Sequence, residues 1–388
     1  MRFPIHRLVL AATLLTAHQI STAAGTQHDA TKHSISMVSS LMTRRDGIMT
    51  GKGGSSEPLQ AGFMQKAFVA LLDQYPDNDQ IREYLATSVD SVLPFLSNAT
   101  KNALGYPLDR LSNGNVMLSV PRTSDCETSP YESGLDALRL SIDLNRRNQE
   151  DGLWYYTYPD WSYLDGMYSL APFYTLYTVS RSNGTSLNLT ALDDMSYQID
   201  LLWEHCLNTT SGLLVHGYDA SRTAVWADPV TGGSPYVWGR SLGWYTMALV
   251  DTLEALPHQP ETCRYREPLL QKFQTLASAV IRAVDPETGA WWQILDQPVR
   301  EGNYIESSSS AMFTYALLKA TRLGYSPRNK SDVLPELSKK AYEYLGKTFV
   351  VHEEDGTLGY NGTVAVCSLN STASYEKSRD WRIIALKL

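Results

Sequence analysis

Apolar side chains along this chain recur at steps of three and four, so the pattern predicts helix after helix. The clearest case is Tyr236 to Leu256, YVWGRSLGWYTMALVDTLEAL, where Leu242, Tyr245, Leu249, Leu253 and Leu256 form one buried stripe. Leu59 to Gln74, stopped by Tyr75-Pro76, and Asp79 to Leu96 read the same way, as do Ser133 to Asn145 and the run after Asp165. Gly25 to Thr31 reads as a polar tail, with helix beginning at Ile35 to Met42. Gly47 to Glu57 and Asn102 to Arg110 read as loops, the second carrying Asp109. No stretch reads as a run of alternating strands.

A unit repeats within this pattern: helix, Gly-containing turn followed by apolar or aromatic residues, helix. The turn glycines are Gly152, Gly212, Gly289 and Gly356, spaced 60, 77 and 67 residues apart, as two helices plus loops require. The chain holds about six such units at that period. Six helical hairpins closed on themselves make an (α/α)6 barrel; an open solenoid is the alternative, and neither end shows the polar capping repeat a solenoid needs.

Composition narrows the partners. The chain has 388 residues with net charge −8, which argues against nucleic acid and leaves any anion recognition to local groups. Its aromatic residues are mainly Tyr (23) and Trp (9) rather than Phe (8), rings with a polar handle that suit wet, sugar-lined surfaces. Arg2, Arg7, the apolar run Leu8 to Leu15 and Thr22-Ala23-Ala24 predict a cleaved secretory signal over residues 1–24, followed by a single domain over 25–388. No later segment is a candidate membrane span, so a secreted monomer with no membrane partner is expected. Asn98, Asn183, Asn188, Asn208, Asn329, Asn361 and Asn370 begin glycosylation sequons. Cys126, Cys206, Cys263 and Cys367 allow up to two disulfides in three pairings, and none sits at metal spacing. Dinucleotide, nucleotide, serine-hydrolase and zincin motifs are lacking, and no metal or cofactor is expected.

Candidate chemistry gathers at four places, one of them Tyr106 to Arg110, whose Asp109 by itself counts as a turn former. The start of the 236–256 helix packs Trp238, Arg240 and Trp244 together with Gly239 and Gly243. A cation and aromatic walls at a helix N-terminus suit a sugar carboxylate, with glycine where the ligand approaches; the alternative is an ordinary core with a structural ion pair. Asp165 lies in WYYTYPDWSYLDGMYSLAP among Tyr155, Tyr156, Tyr158, Trp161, Tyr163 and Tyr168. Lost solvation there predicts a raised pKa, as a general acid needs, unless Asp165 is only a helix cap. GLLVHGYDASRTAVWAD adds His216, Tyr218, Asp219 and Asp228, where a lone histidine is more often structural.

Taken together and in order, YPLDRLSNG, WSYLDGMYSLAPF, GLLVHGYD and WGRSLGWYTMALVDTLEALP resemble the unsaturated rhamnogalacturonyl hydrolases of glycoside hydrolase family 105, relatives of the family 88 unsaturated glucuronyl hydrolases. The resemblance runs from about Leu59 to about Leu345 and implies an (α/α)6 barrel. It also implies that Asp165 is the general acid and base, that Asp109 is a second acid raising the Asp165 pKa or holding hydroxyls, and that His216, Arg240 and Trp244 bind an unsaturated uronate. Tyr155 and Tyr163 stand where members often have His and Trp, changes that keep a ring and bear on which sugar leaves. The implied substrate is a lyase-generated, pectin-derived oligosaccharide. The rivals are a family 88-type glucuronyl hydrolase, an inverting glycosidase using Asp165 and Asp109, and a sugar-binding module.

Overall fold

The computed structural model describes residues 24–119, 131–182, 187–328, 330–364 and 369, with side chains described from residue 33. Most of the expected signal segment, Cys126, Cys367, Asn183, Asn329 and Asn370 lie outside them.

The helices, numbered in chain order, are α1 Ala24–Thr43, α2 Glu57–Gln74, α3 Asp79–Leu96, α4 Ala99–Gly105, α5 Ser112–Ser119, α6 Glu132–Asp143, α7 Met167–Ser180, α8 Leu189–Cys206, α9 Gly239–Ala255, α10 Pro260–Arg282, α11 Ser307–Leu323 and α12 Leu334–Phe349. Four short strands join them: β1 Trp161–Tyr163 pairs antiparallel with β2 Gly217–Asp219, and β3 Val350–His352 with β4 Leu358–Tyr360. Two expectations need correcting. The supposed polar tail lies inside α1, and the supposed loop around Asp109 is α4 followed by a 3-10 turn, Leu108–Leu111. Both segments lack the apolar stripe that marks a helix in sequence, and α4 owes its start to the Asn98 side chain, which accepts a hydrogen bond from the Lys101 amide.

The burial pattern sorts the long helices into two layers. Helices α9 and α11 are buried along nearly their whole length, whereas α3, α8, α10 and α12 bury one face each. Helices α2, α5, α7, α9 and α11 pack successively side by side as the inner layer, and each outer helix packs against an inner neighbour. The chain closes on itself: the Leu358 amide in β4 donates to Ser40 Oγ of α1 at 2.8 Å, and Arg44 Nη1 of α1 donates to the Leu358 carbonyl at 3.1 Å. This is the architecture of an (α/α)6 barrel, five of whose inner helices lie among the described residues, and the hydrophobic core fills the space between its layers.

On the inner layer, Asp251 of α9 accepts from Lys319 Nζ at 2.6 Å and from Tyr315 OH at 2.9 Å, both on α11, and pairs with Lys66 of α2. These charges hold the Asp251 carboxyl down at about 2 against the opposing effect of its burial. Cys206 is buried on α8 and Cys263 is exposed on α10, so the pairing that joins them to one another is absent.

Candidate active site

The first turn of α7 is preceded by a 3-10 turn, Leu164–Gly166, that carries Asp165. The β1–β2 ribbon sets what Asp165 meets. Tyr163 pairs with Gly217, and the Leu164 amide donates to the His216 carbonyl at 3.1 Å, which fixes Asp165 and His216 in adjacent positions on neighbouring segments. His216 Nε2 lies 3.1 Å from Asp165 Oδ2, an ion-pair approach whose N–H is not aligned as a hydrogen bond. Ser241, in the first turn of α9, donates from Oγ to the same Oδ2 at 2.5 Å and lies 3.2 Å from the His216 carbonyl. Asp165 is no helix cap: α7 has Gly166 at that position and no side-chain cap bond.

The charge state of Asp165 is the reverse of the expected one. Burial favours its neutral form, but the His216 imidazole, the Ser241 hydroxyl and the Arg240 guanidinium together outweigh burial and hold the carboxyl below its ordinary value. Asp109 is the raised acid. It is buried within its 3-10 turn, and burial, aided by the charge of Asp165, pushes it up to about 7 against the hydrogen bond it accepts from Tyr155 OH at 2.7 Å and the Arg110 charge. Arg110 anchors that turn by donating to Ser141 Oγ and the Tyr106, Pro107 and Ser141 carbonyls, and to Asn145 Oδ1. Its guanidinium is buried too, which brings it down to about 9.

Aromatic rings line one side. Tyr163 stacks on Tyr155 with centroids 4.9 Å apart and tilts against His216 at 4.8 Å. Tyr158 and Trp161 continue the stack, and Trp226 meets Trp161 edge-on at 5.0 Å. Tyr163 OH donates to the Leu369 carbonyl at 2.8 Å, so Leu369 rests on this wall. Trp238, the residue before α9, stands 6.0 Å from the His216 ring.

The structure therefore brings Asp165, Asp109, Tyr155, Tyr163, His216, Trp238 and Arg240 to one region. Trp244 is placed differently: it is core, packed on Phe63 at 5.2 Å and Tyr168 at 4.5 Å. The glycines also serve another purpose than ligand approach. A Cβ on Gly239 would lie 2.8 Å from Ser309 Oγ, and one on Gly243 would lie 2.9 Å from Met312 Cβ, so both let α9 and α11 approach closely. Asp219 is a loop-former whose carboxylate accepts from the Ser221, Thr223 and Ala224 amides. Ser241, Arg110, Trp226 and Leu369 are the site's residues that carried no legible role in sequence. Only Ser241 had a signal, its place beside Arg240.

Residues 42–386 match the family model for Glycosyl Hydrolase Family 88, and the chain belongs to that family. Protein Atu3128 of Agrobacterium fabrum is 40% identical over 158 residues, 41% of this chain and 66% of that protein; the 24.9 kDa protein in the picA locus of Rhizobium radiobacter matches equally. The chain thus spans just under two thirds of the length of these relatives. Among solved structures, a family 105 glycoside hydrolase of C. acetobutylicum ATCC 824 superposes with TM-score 0.73 and 28% identity, covering 88% of this chain and 91% of that one. The unsaturated glucuronyl hydrolase of Bacillus sp. GL1 shares the fold at TM-score 0.56 and 12% identity, covering 92% of this chain and 89% of that one.

Proposed function

We propose that this glycoside hydrolase removes the terminal Δ4,5-unsaturated galacturonyl residue from lyase-generated rhamnogalacturonan oligosaccharides, as a secreted monomer. The observation that carries the reading is one carboxyl, Asp165, fixed by His216 and Ser241 with a guanidinium, Arg240, in the adjacent first turn of α9. Family membership and the likeness to the family 105 structure support the unsaturated substrate. The basic, apolar N-terminus supports export.

The C4=C5 bond of such a uronate is a vinyl ether. Asp165 gives a proton to C4, using the π electrons of that bond, and the cation left at C5 is shared with the ring oxygen. Water adds at C5 and returns its proton to Asp165. The hemiketal then opens to a C5 ketone, the hydroxyl freed at C1 collapses to an aldehyde, and the glycosidic oxygen leaves with a proton as rhamnose or a rhamnose-ended oligosaccharide. A single carboxyl suffices where inverting and retaining hydrolases need two. Binding prepares it: the uronate carboxylate pairs with Arg240 and excludes water, and both changes raise Asp165 from its depressed value toward the acid form. Tyr155, Tyr163 and Trp238 supply the aromatic surroundings of the ring.

One observation favours a second reading. Asp109 is raised to about 7 while Asp165 stays ionised, the division of labour of an inverting glycosidase with Asp109 as acid and Asp165 as base. Ultraviolet absorbance of the conjugated double bond separates the two. Loss of absorbance with release of rhamnose in the wild type, and none with Asp165→Asn, supports vinyl-ether hydration. Cleavage of saturated oligosaccharides with the absorbance intact favours the inverting reading. An unsaturated glycosaminoglycan disaccharide run in parallel tests the choice of sugar.

A further inference from the structure

We propose that Ser241 is a positioning residue for Asp165, reserving Oδ2 so that the carboxyl gives and takes its proton through Oδ1. The inference rests on the reading of Asp165 as acid and base given above. Ser241 Oγ is fully buried, 2.5 Å from Asp165 Oδ2 and 3.2 Å from the His216 carbonyl oxygen. His216 Nε2 approaches the same Oδ2. Among the described residues no hydrogen bond is made to Oδ1, so the two oxygens of one carboxyl are inequivalent: one held from two sides, one left for chemistry.

A hydroxyl has one hydrogen to donate and here has two acceptors within reach. While Asp165 is ionised, the hydrogen points to Oδ2 and makes a charge-assisted bond. When Oδ1 takes up a proton, Oδ2 becomes a weaker acceptor and the hydrogen can turn to the His216 carbonyl, with no heavy atom moving. A carboxyl that must be acid and then base within one turnover is served in both states by this rotation. The other groups facing Asp165 are His216, Arg240 from α9 and, from the neighbouring turn and loop, Asp109 and Tyr155; removal of the hydroxyl leaves all four in place. A serine kept only for packing would lose stability on substitution and leave the titration of Asp165 where it was.

The test is a carboxyl-carbon NMR titration of the free enzyme, with Asp165 assigned by its loss in Asp165→Asn, alongside kcat and KM on the unsaturated disaccharide. Ser241→Ala is expected to move the Asp165 inflection up by about one pH unit and to lower kcat by about tenfold, with KM within about twofold. Ser241→Thr, which keeps the hydroxyl, is expected to restore both. An unchanged inflection in Ser241→Ala overturns the proposal whether or not kcat falls. If the alanine variant does not fold, Ser241→Cys, a weaker donor of similar shape, is read in its place: a smaller upward shift supports the proposal and none overturns it. The titration needs no substrate, so a wild type that fails to bleach the double bond sinks the proposed function while the inflection still decides the role of Ser241.

Discussion

Asp109 and Asp165 repel one another, and the repulsion falls on Asp109. Buried in its 3-10 turn with one tyrosine bond, Asp109 is raised to about 7, while Asp165 has His216, Ser241 and Arg240 to keep it ionised. At pH 6 the pair therefore carries one proton, on Asp109, and the site has a place for a proton before any substrate arrives.

This charge division makes folding stability depend on pH. Asp109 titrates near 3.8 when unfolded and at about 7 when folded, so its folded-state preference for the proton stabilises fully below pH 3.8 and is lost as pH rises through 7. Asp109→Asn removes the cost of ionising a buried carboxyl. Relative to the wild type, the variant is expected to gain stability between pH 4 and 7 and to hold that gain above pH 7, with a ceiling of about 4 kcal/mol. Denaturant unfolding at pH 5 and pH 8 reads the difference; an equal effect at both values would refute it.

Arg240 tests recognition of the uronate. A guanidinium holds a carboxylate with two parallel hydrogen bonds, and lysine supplies the charge without the fork. Arg240→Lys is expected to raise KM by about tenfold or more and to lower kcat less. A substrate whose carboxylate has been reduced to an alcohol should bind the wild type and the variant alike. Steady-state kinetics on the two substrates checks both statements.

How much of this was legible in sequence varies by element. Helices such as α3 and α9 announced themselves because burial of one stripe or of a whole helix imposes the 3.6-residue period. Short α4 and the turn around Asp109 do not, since seven residues give too few repeats and three of the five hydrogen bonds of their anchor, Arg110, go to Ser141 and Asn145, more than thirty positions away in the chain. Asp165 is legible as a candidate acid, but its charge state is not. The surrounding aromatic residues are visible locally, whereas His216, Ser241 and Arg240 arrive from 51 to 76 positions downstream through the β1–β2 pairing and the start of α9. Sequence proximity to Arg240 does not say which face of α9 meets Phe63, where Trp244 packs, and which meets α11, where Gly243 lies.

The barrel's ionic cluster gives a prediction remote from the rim. Lys319 is buried and pairs with Asp251 at 2.6 Å while also facing Glu254. Lys319→Met keeps the length of the side chain and leaves Asp251, among the described residues, with Lys66 and Tyr315. Removing one partner of a buried pair is expected to cost about 3 kcal/mol, visible as a lower midpoint in urea at pH 7. Asp251 is depressed to about 2 by these charges, so its contribution is present above pH 3.8 and is lost as pH falls through 2. The difference between the wild type and Lys319→Met should therefore narrow on acidification, and a constant difference from pH 7 to pH 3 would argue against an electrostatic origin.

Gly243 provides the sharpest separation of packing from chemistry. It sits one turn beyond Arg240 and Ser241, where a ligand-facing glycine would lie if the first turn of α9 curved around the sugar. Its missing Cβ instead points at α11, within 2.9 Å of Met312 Cβ and 2.8 Å of Met312 Sδ. The sulfur can swing away, but Met312 Cβ is fixed to the helix, so an added methyl must push α9 and α11 apart. Gly243→Ala is expected to lose about 1–3 kcal/mol as overpacking, despite the better helix propensity of alanine, with KM unchanged in the fraction that remains folded. Thermal unfolding and steady-state kinetics together decide the point. A variant of wild-type stability with a raised KM would place Gly243 at the ligand and not in the α9–α11 contact.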